Sequence, residues 1–293
     1  MHMRKIDVTP ILATQVLEIA YEAGVAILDV YEDIRNRGDD IQKTVLTSKA
    51  DGSPLTQVDV LAHQLISQRL AVLTPHLQIV SEENASLLPS RASLATGEFW
   101  LVDPVDGTQE FLAQNGEFTV NIALVRDGVA VLGVVVAPAL GQAYWGGEGF
   151  GALRELDCRV ESIHVTPRVK PDQPLRVVAS KSYMNAETLA FIRQLGASEL
   201  VQIGSSLKFC RIAEGSADIY PRLGPTCEWD TAAAQAILEA AGGYVSSLDG
   251  RPVRYGKPDV LNPFFVASNA PFSLPSMAPH PSIERAFVKT LPL

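Results

Sequence analysis

Six consecutive residues, Asp103-Pro104-Val105-Asp106-Gly107-Thr108, bring two carboxylates, a backbone carbonyl and a glycine-led turn within reach of one another. Hard divalent cations take oxygen ligands, and the proline between the acids lets the Asp103 and Asp106 side chains and the Val105 carbonyl converge on one point. If Gln109-Glu110-Phe111-Leu112 starts a short helix, the N–H groups of Gly107 and Thr108 face an anion at its positive end. Metal and phosphate would then meet at one turn. Asp-Pro or Asp-Gly alone is an ordinary turn dipeptide; the complete hexapeptide carries the reading.

A magnesium shell needs more carboxylates than one turn supplies. Two other places offer them. Residues 77–80, a short buried-strand pattern, end in Ser81-Glu82-Glu83, and Trp229-Asp230-Thr231-Ala232-Ala233 opens a helical stretch. Read alone, Glu82-Glu83 is a solvated loop and Asp230 a helix N-cap or first-turn acid. Asp59, in Thr56-Gln57-Val58-Asp59, has a capping-box explanation.

The elements that must position these groups follow from periodicity. Leu12, Val16, Ile19, Ala23, Ile27, Val30 and Ile34 recur at helical steps and predict a long amphipathic first helix. A second helix begins at the Thr56–Asp59 box. Strands are expected at 77–80 and at 99–102, which puts Asp103 and Asp106 at a strand's carboxyl end, where ligands gather in α/β folds. The runs 118–126 and 129–137, joined by Asp127-Gly128, predict a hairpin. Gly146–Gly151 is glycine-rich, but a strand pattern at 158–165 follows it instead of a helix, so it reads as turn chemistry and not a dinucleotide loop. From 176 onward strand (176–179), helix (185–195), strand (200–203), helix (206–214), strand (217–220) and helix (231–241) alternate. The boundary near Pro167–Pro174 divides the chain into an α+β half, 1–170, with most metal-ligand candidates, and an α/β half, 171–293, with Asp230 and the substrate candidates.

Composition bounds the function. The 293 residues are 47% hydrophobic, enough for a large core, yet no uninterrupted apolar run reaches the ~18–20 residues of a membrane span. The charged start Met1-His2-Met3-Arg4-Lys5 is not followed by the apolar core of a signal peptide. Cys158, Cys210 and Cys227 are widely spaced and lack C-x-x-C spacing, which argues against a disulfide scaffold or zinc site and fits a reducing cytoplasm. His2, His63, His76, His164 and His280 show no metal spacing either. A net charge of −9 argues against nucleic-acid binding but not against a small polyanion, because a bound cation reverses the local sign.

Taken together and in this order, Ser-Glu-Glu, Asp-Pro-Val-Asp-Gly-Thr and Trp-Asp-Thr-Ala-Ala resemble the inositol monophosphatase superfamily of magnesium-dependent, lithium-sensitive phosphatases. Lys49-Ala50-Asp51-Gly52-Ser53-Pro54-Leu55-Thr56, Asn115-Gly116-Glu117-Phe118-Thr119-Val120-Asn121, Gly204-Ser205-Ser206-Leu207-Lys208-Phe209-Cys210 and Tyr220-Pro221-Arg222-Leu223-Gly224-Pro225-Thr226 narrow it to the CysQ-type branch. Gln109 stands where that branch commonly has lysine. The resemblance implies a layered αβαβα sandwich of the inositol monophosphatase/fructose-1,6-bisphosphatase type and two Mg²⁺ ions per site, or three. Glu82, Asp103 and the Val105 carbonyl would hold the first ion and Asp103, Asp106 and Asp230 the second. Asp59 and Thr108 would orient the attacking water. Gly107 and Thr108 would meet the reacting phosphate, Ser205, Lys208 and Arg222 a 5'-phosphate, and Tyr183, where the branch commonly has histidine, the base. The implied activity is hydrolysis of 3'-phosphoadenosine 5'-phosphate to AMP and phosphate in sulfate assimilation, with 3'-phosphoadenylyl sulfate as an additional substrate. The implied protein is a cytoplasmic monomer or homodimer, with a peripheral position at the inner membrane left open. An inositol- or sugar-phosphate phosphatase and a noncatalytic magnesium- or nucleotide-binding regulator are the alternatives.

Overall fold

The computed structural model describes residues 5–37, 46–48, 54–85, 94–167 and 173–272. The Lys49–Ser53 portion of the first branch motif, Met1 to Arg4, Pro171 and His280 lie outside the described residues. The chain begins with helix α1 (Pro10–Arg37), the short pair β1 (Leu46–Ser48) and β2 (Pro54–Thr56), and helix α2 (Gln57–Leu73). Then come β3 (Gln78–Ser81), β4 (Glu98–Asp106), the one-turn helix α3 (Thr108–Leu112), β5 (Thr119–Arg126), β6 (Val129–Ala137), β7 (Gln142–Gly147), β8 (Gly151–Leu156) and β9 (Arg159–Ile163). The second part holds β10 (Leu175–Ser180), α4 (Ala186–Gln194), β11 (Ser198–Ile203), α5 (Leu207–Ala213), β12 (Ile219–Arg222), α6 (Ala232–Ala240), β13 (Tyr244–Ser247) and β14 (Phe265–Ser268).

Strands β3 to β9 form one seven-stranded sheet in chain order, antiparallel except for the β3–β4 pair. The second sheet has five strands in the order β11-β10-β12-β14-β13. Alternation along β4 explains the layering. Trp100 and Val102 point into a core shared with α1 and α2, whereas Phe99 and Leu101 point into a core shared with α5, α6 and the second sheet. Helix α6 packs on β5, β6, β7 and β8 from one side and reaches β13 on the other, and α5 packs on β10, β12 and β14. A third core joins α4 residues Phe191 and Ile192 to Val177, Ala179, Ile219 and Val266 on the outer face of the second sheet. The sequence of layers is therefore helix, sheet, helix, sheet, helix, the sandwich expected. The chain changes sheet between Ile163 and Leu175, and the central core spans both sheets.

The first helix buries Leu12, Val16, Ile19, Ala23, Ile27 and Ile34 of the expected residues, together with Tyr31, while Val30 is only partly buried against the same core. Within Pro10–Asn36 one 18-residue window has a mean hydropathy of 1.5, enough by length and composition to cross a membrane, although acids interrupt it and half of that window is buried inside the protein. The β5–β6 hairpin turns at Asp127 (φ 49°) and Gly128 (φ 78°), both left-handed as its two-residue loop demands. The glycine-rich segment is the β7–β8 turn.

Candidate active site

Strand β4 does not stop before its acids but runs through Asp106. Asp103 pairs with Asn121 and Asp106 with Thr119, so Pro104 and Val105 lie opposite Val120 alone, and the register shifts between the two acids. This bulge has a chemical consequence. Side chains three apart on a regular strand point to opposite faces; one extra residue restores them to the same face. Pro104, which cannot donate to the ladder, sits where the ladder is already broken. Val105 keeps its side chain in the α1–α2 core, while Asp103 and Asp106 both turn toward the second sheet.

The other acids arrive by separate routes. The Glu82 N–H donates to the Val102 carbonyl at 3.2 Å, which fastens the end of β3 beside Asp103. Asp230 precedes α6, whose N-cap is Thr231, and its Oδ2 accepts the Cys227 N–H at 2.9 Å. It is thus a turn acid before the helix and not the cap. The leading turn of α5 comes close because residue 204 is glycine: a Cβ there would lie 2.3 Å from Glu110 Cγ. Ser205 follows with φ 48°, a left-handed backbone rare for a non-glycine residue and of the kind concentrated at functional sites.

These elements enclose a cavity of about 480 Å³. Its lining includes Glu82, Asp103, Val105, Asp106, Gly107, Thr108, Tyr183, Ser205, Lys208, Arg222 and Asp230, which is every candidate site residue except Asp59. Asp59 is buried at the start of α2, close enough to Asp103 to push that carboxyl's proton affinity up. Its proposed cap partner Thr56 lies where only the backbone is described. Glu83 does not line the cavity, so the structure separates the two neighbouring glutamates. Gly107, with φ 92°, caps α3, and Thr108 opens it. Sequence reasoning missed four residues here. Glu110 lines the cavity and accepts a hydrogen bond from Ser182 at 2.7 Å, and Thr119, Asn121 and Ser206 surround Asp106.

Burial dominates the electrostatics. It pushes Asp103 well above the usual carboxylate range, reinforced by Glu82, Asp106, Asp230 and Asp59. Burial also raises Asp106, against the pull of Lys208 and of hydrogen bonds from Ser206 and Asn121. Asp230 is pushed up to about 8, by burial first and then by Asp106. Burial lowers the Lys208 ammonium to about 8, with Asp106 opposing. Among the described residues no three acid, histidine or cysteine side chains are yet drawn round one point as a finished metal cage. The donors nonetheless fit a hard cation. Asp103 Oδ1 is buried with no hydrogen-bond partner among the described residues, and the carboxyls facing it repel one another until a positive charge is shared. Across the cavity, Arg222 Nε is likewise buried and unpartnered, a donor that suits an anion.

The profile of the inositol monophosphatase family matches residues 10–279. The 3'(2'),5'-bisphosphate nucleotidase CysQ of Escherichia coli K12 is 42% identical over 255 residues, covering 87% of this chain and 98% of that protein. Its counterpart in Haemophilus influenzae is 33% identical over 258 residues, covering 87% of this chain and 91% of that protein. Among solved structures, CysQ from Bacteroides thetaiotaomicron superposes with a TM-score of 0.73 at 38% identity, covering 88% of this chain and 97% of that one. Inositol monophosphatase II from Staphylococcus aureus, 22% identical, shares the fold with a TM-score of 0.69 over 89% of each chain. With the family profile spanning the acids from both sheets and these relatives covered almost end to end, the chain belongs to the inositol monophosphatase family.

Proposed function

We propose that the protein is a magnesium-dependent 3'(2'),5'-bisphosphate nucleotidase, which hydrolyses 3'-phosphoadenosine 5'-phosphate to AMP and inorganic phosphate. The single observation that carries the substrate is the pairing, in one cavity, of a buried carboxyl cluster with two buried cations, Lys208 and Arg222. A monophosphate needs only the first; a second phosphate on the same molecule uses both. Identity of 42% with a relative named for this activity supports the reading.

Glu82, Asp103 and the Val105 carbonyl would hold one ion, and Asp103, Asp106 and Asp230 a second. Bound magnesium supplies a water nucleophile at neutral pH, neutralises phosphoryl oxygens and stabilises the leaving alkoxide. The chain's own residues do the rest. Thr108 and Asp59 orient the attacking water and the Asp59 carboxylate takes up its proton, while the N–H groups at Gly107 and Thr108 face the phosphoryl oxygens. As the water oxygen bonds to phosphorus, the P–O3' bond breaks and the departing 3'-oxygen takes a proton from a solvent water. Ser205, Lys208 and Arg222 hold the 5'-phosphate, with Tyr183 beside Arg222 to stack on the base. The ester 3'-phosphate of 3'-phosphoadenylyl sulfate meets the same groups and extends the substrate class. In sulfate assimilation the reaction would remove an inhibitory product. Free Cys158, Cys210 and Cys227 suit the reducing cytoplasm where that occurs. On this reading the division near residue 170 separates most of the metal-holding residues from the substrate-holding ones.

The test is phosphate release from 3'-phosphoadenosine 5'-phosphate with Mg²⁺ and with EDTA. Release only with Mg²⁺ is expected; binding of the nucleotide without release at any Mg²⁺ concentration would leave a noncatalytic regulator.

A further inference from the structure

Asp106 is held by a hydrogen-bonded chain whose direction is fixed by counting protons. Thr119, Asn121 and Ser206 are all buried, at 0%, 1% and 1% exposure, so bulk water cannot substitute for their partners. Thr119 Oγ1 lies 3.0 Å from Asn121 Oδ1 and 3.5 Å from Asp106 Oδ2, and its one proton goes to the nearer oxygen. That bond fixes the Asn121 amide with Nδ2 turned to the acid. The two Nδ2 protons then go to Ser206 Oγ at 2.7 Å and Asp106 Oδ2 at 3.2 Å. The Ser206 hydroxyl has its own proton left to give, aimed at Asp106 Oδ2 at 2.8 Å, with the Asp230 carbonyl oxygen at 3.1 Å as a second acceptor. No side-chain donor in the chain is unused, and its charge-assisted side-chain bonds end on Asp106 Oδ2, with the Ser206 backbone N–H adding a further bond to the same carboxyl.

The location gives the chain its meaning. Thr119 and Asn121 belong to β5 in the first sheet, whereas Ser206 leads α5 and touches the residue that carries the Asp230 carboxyl. Ser206 is thus a side chain through which an acid of the first sheet and an acid of the second part are tied together. The preceding left-handed Ser205 lets consecutive serines diverge, with Ser205 lining the cavity and the Ser206 hydroxyl buried beneath it.

We infer that Ser206, oriented by Asn121, is a positioning residue for cation binding, which turns Asp106 Oδ2 to the protein, leaves Oδ1 for the cation and sets the separation of Asp106 from Asp230. This rests on the magnesium reading above. Removing the hydroxyl leaves Asp106 with one donor fewer and unlinks it from Asp230, without removing any candidate ligand. Partners of this kind are commonly worth ten- to a hundredfold in metal affinity.

The experiment is calorimetric titration of Mg²⁺ into the full chain without substrate, for wild type, Ser206→Ala and Ser206→Thr, alongside thermal unfolding of each in EDTA. The expected result is roughly ten- to hundredfold weaker Mg²⁺ binding for Ser206→Ala, recovery of most of that loss by Ser206→Thr, and unfolding temperatures in EDTA that do not track the affinities. Wild-type affinity in Ser206→Ala would overturn the inference, as would equal weakening in both variants, which would mark a packing effect. Absence of Mg²⁺ binding by the wild type would instead overturn the magnesium reading itself.

Discussion

The Arg222 guanidinium carbon lies 5.9 Å from the centroid of the Tyr183 ring, so a cation buried in the cavity wall carries an exposed aromatic shelf at the mouth. One Arg222 nitrogen is held by the Pro225 carbonyl at 2.8 Å, while Nε has no partner. Lys208 lies on the Tyr220 ring at 5.4 Å and donates to the Ser205 carbonyl at 2.5 Å. Both cations are therefore pre-positioned by the protein and retain capacity for an anion.

Lys208→Ala or Arg222→Ala should accordingly cost about 1.5–3 kcal/mol, roughly ten- to a hundredfold in kcat/KM, on 3'-phosphoadenosine 5'-phosphate. Adenosine 3'-monophosphate, which lacks the 5' group, should lose little. Steady-state kinetics on the two substrates checks this, and equal losses on both would mean disturbed folding or a disturbed carboxyl cluster.

Asp103→Asn should lower kcat at saturating Mg²⁺ by at least ~10³-fold, about 4 kcal/mol, because Asp103 is the acid shared by both proposed ions. The metal-free variant should be more stable than wild type, since a buried carboxyl facing Glu82, Asp106 and Asp230 is replaced by a neutral amide. A relief of about 1 kcal/mol would raise Tm by about 2–4 °C, which unfolding in EDTA measures.

The raised Asp230 carboxyl gives a signed pH dependence. Its folded value of about 8 exceeds the ~3.9 of an unfolded aspartate, so the folded chain keeps a proton that the unfolded chain gives up. The stability this group contributes is complete at low pH and is lost as pH rises from about 4 to about 8. In EDTA, wild type should lose more stability between pH 5 and pH 8 than Asp230→Asn does. A parallel pair of Tm curves would contradict it.

Gly133 on β6 faces the start of α6, and a Cβ there would stand 1.9 Å from the Ala233 carbonyl oxygen. Backbone cannot yield as a flexible side chain would. Gly133→Ala should therefore destabilise the fold by about 3 kcal/mol, read from denaturant unfolding.

How much of this was legible in the sequence depended on whether a feature is local. Glu82, Asp103, Asp106 and Asp230 stood out because each follows a strand pattern or opens a helix, and the β5–β6 hairpin because Asp127-Gly128 is a specific turn signal. The bulge was not legible: Asp103 and Asp106 read as lying past a strand end, whereas pairing with β5 continues through them and an extra residue sets their direction. The strands β13 and β14 were missed because each has four residues and gains its stability from a partner distant in sequence. Strand β7 was hidden because its last residues, Gly146 and Gly147, read as turn. Ser206 and Asn121 sat inside the quoted motifs, but nothing in their spacing says that two side chains 85 positions apart are hydrogen-bonded to each other and to Asp106.

The most direct test of the account is kcat/KM for the wild-type protein, in Mg²⁺, on 3'-phosphoadenosine 5'-phosphate and inositol 1-phosphate measured side by side. A cavity that sets Lys208 and Arg222 opposite the carboxyl cluster predicts at least a tenfold preference for the bisphosphate, the low end of what one charge-assisted contact supplies. Equal or better turnover of inositol 1-phosphate would contradict it.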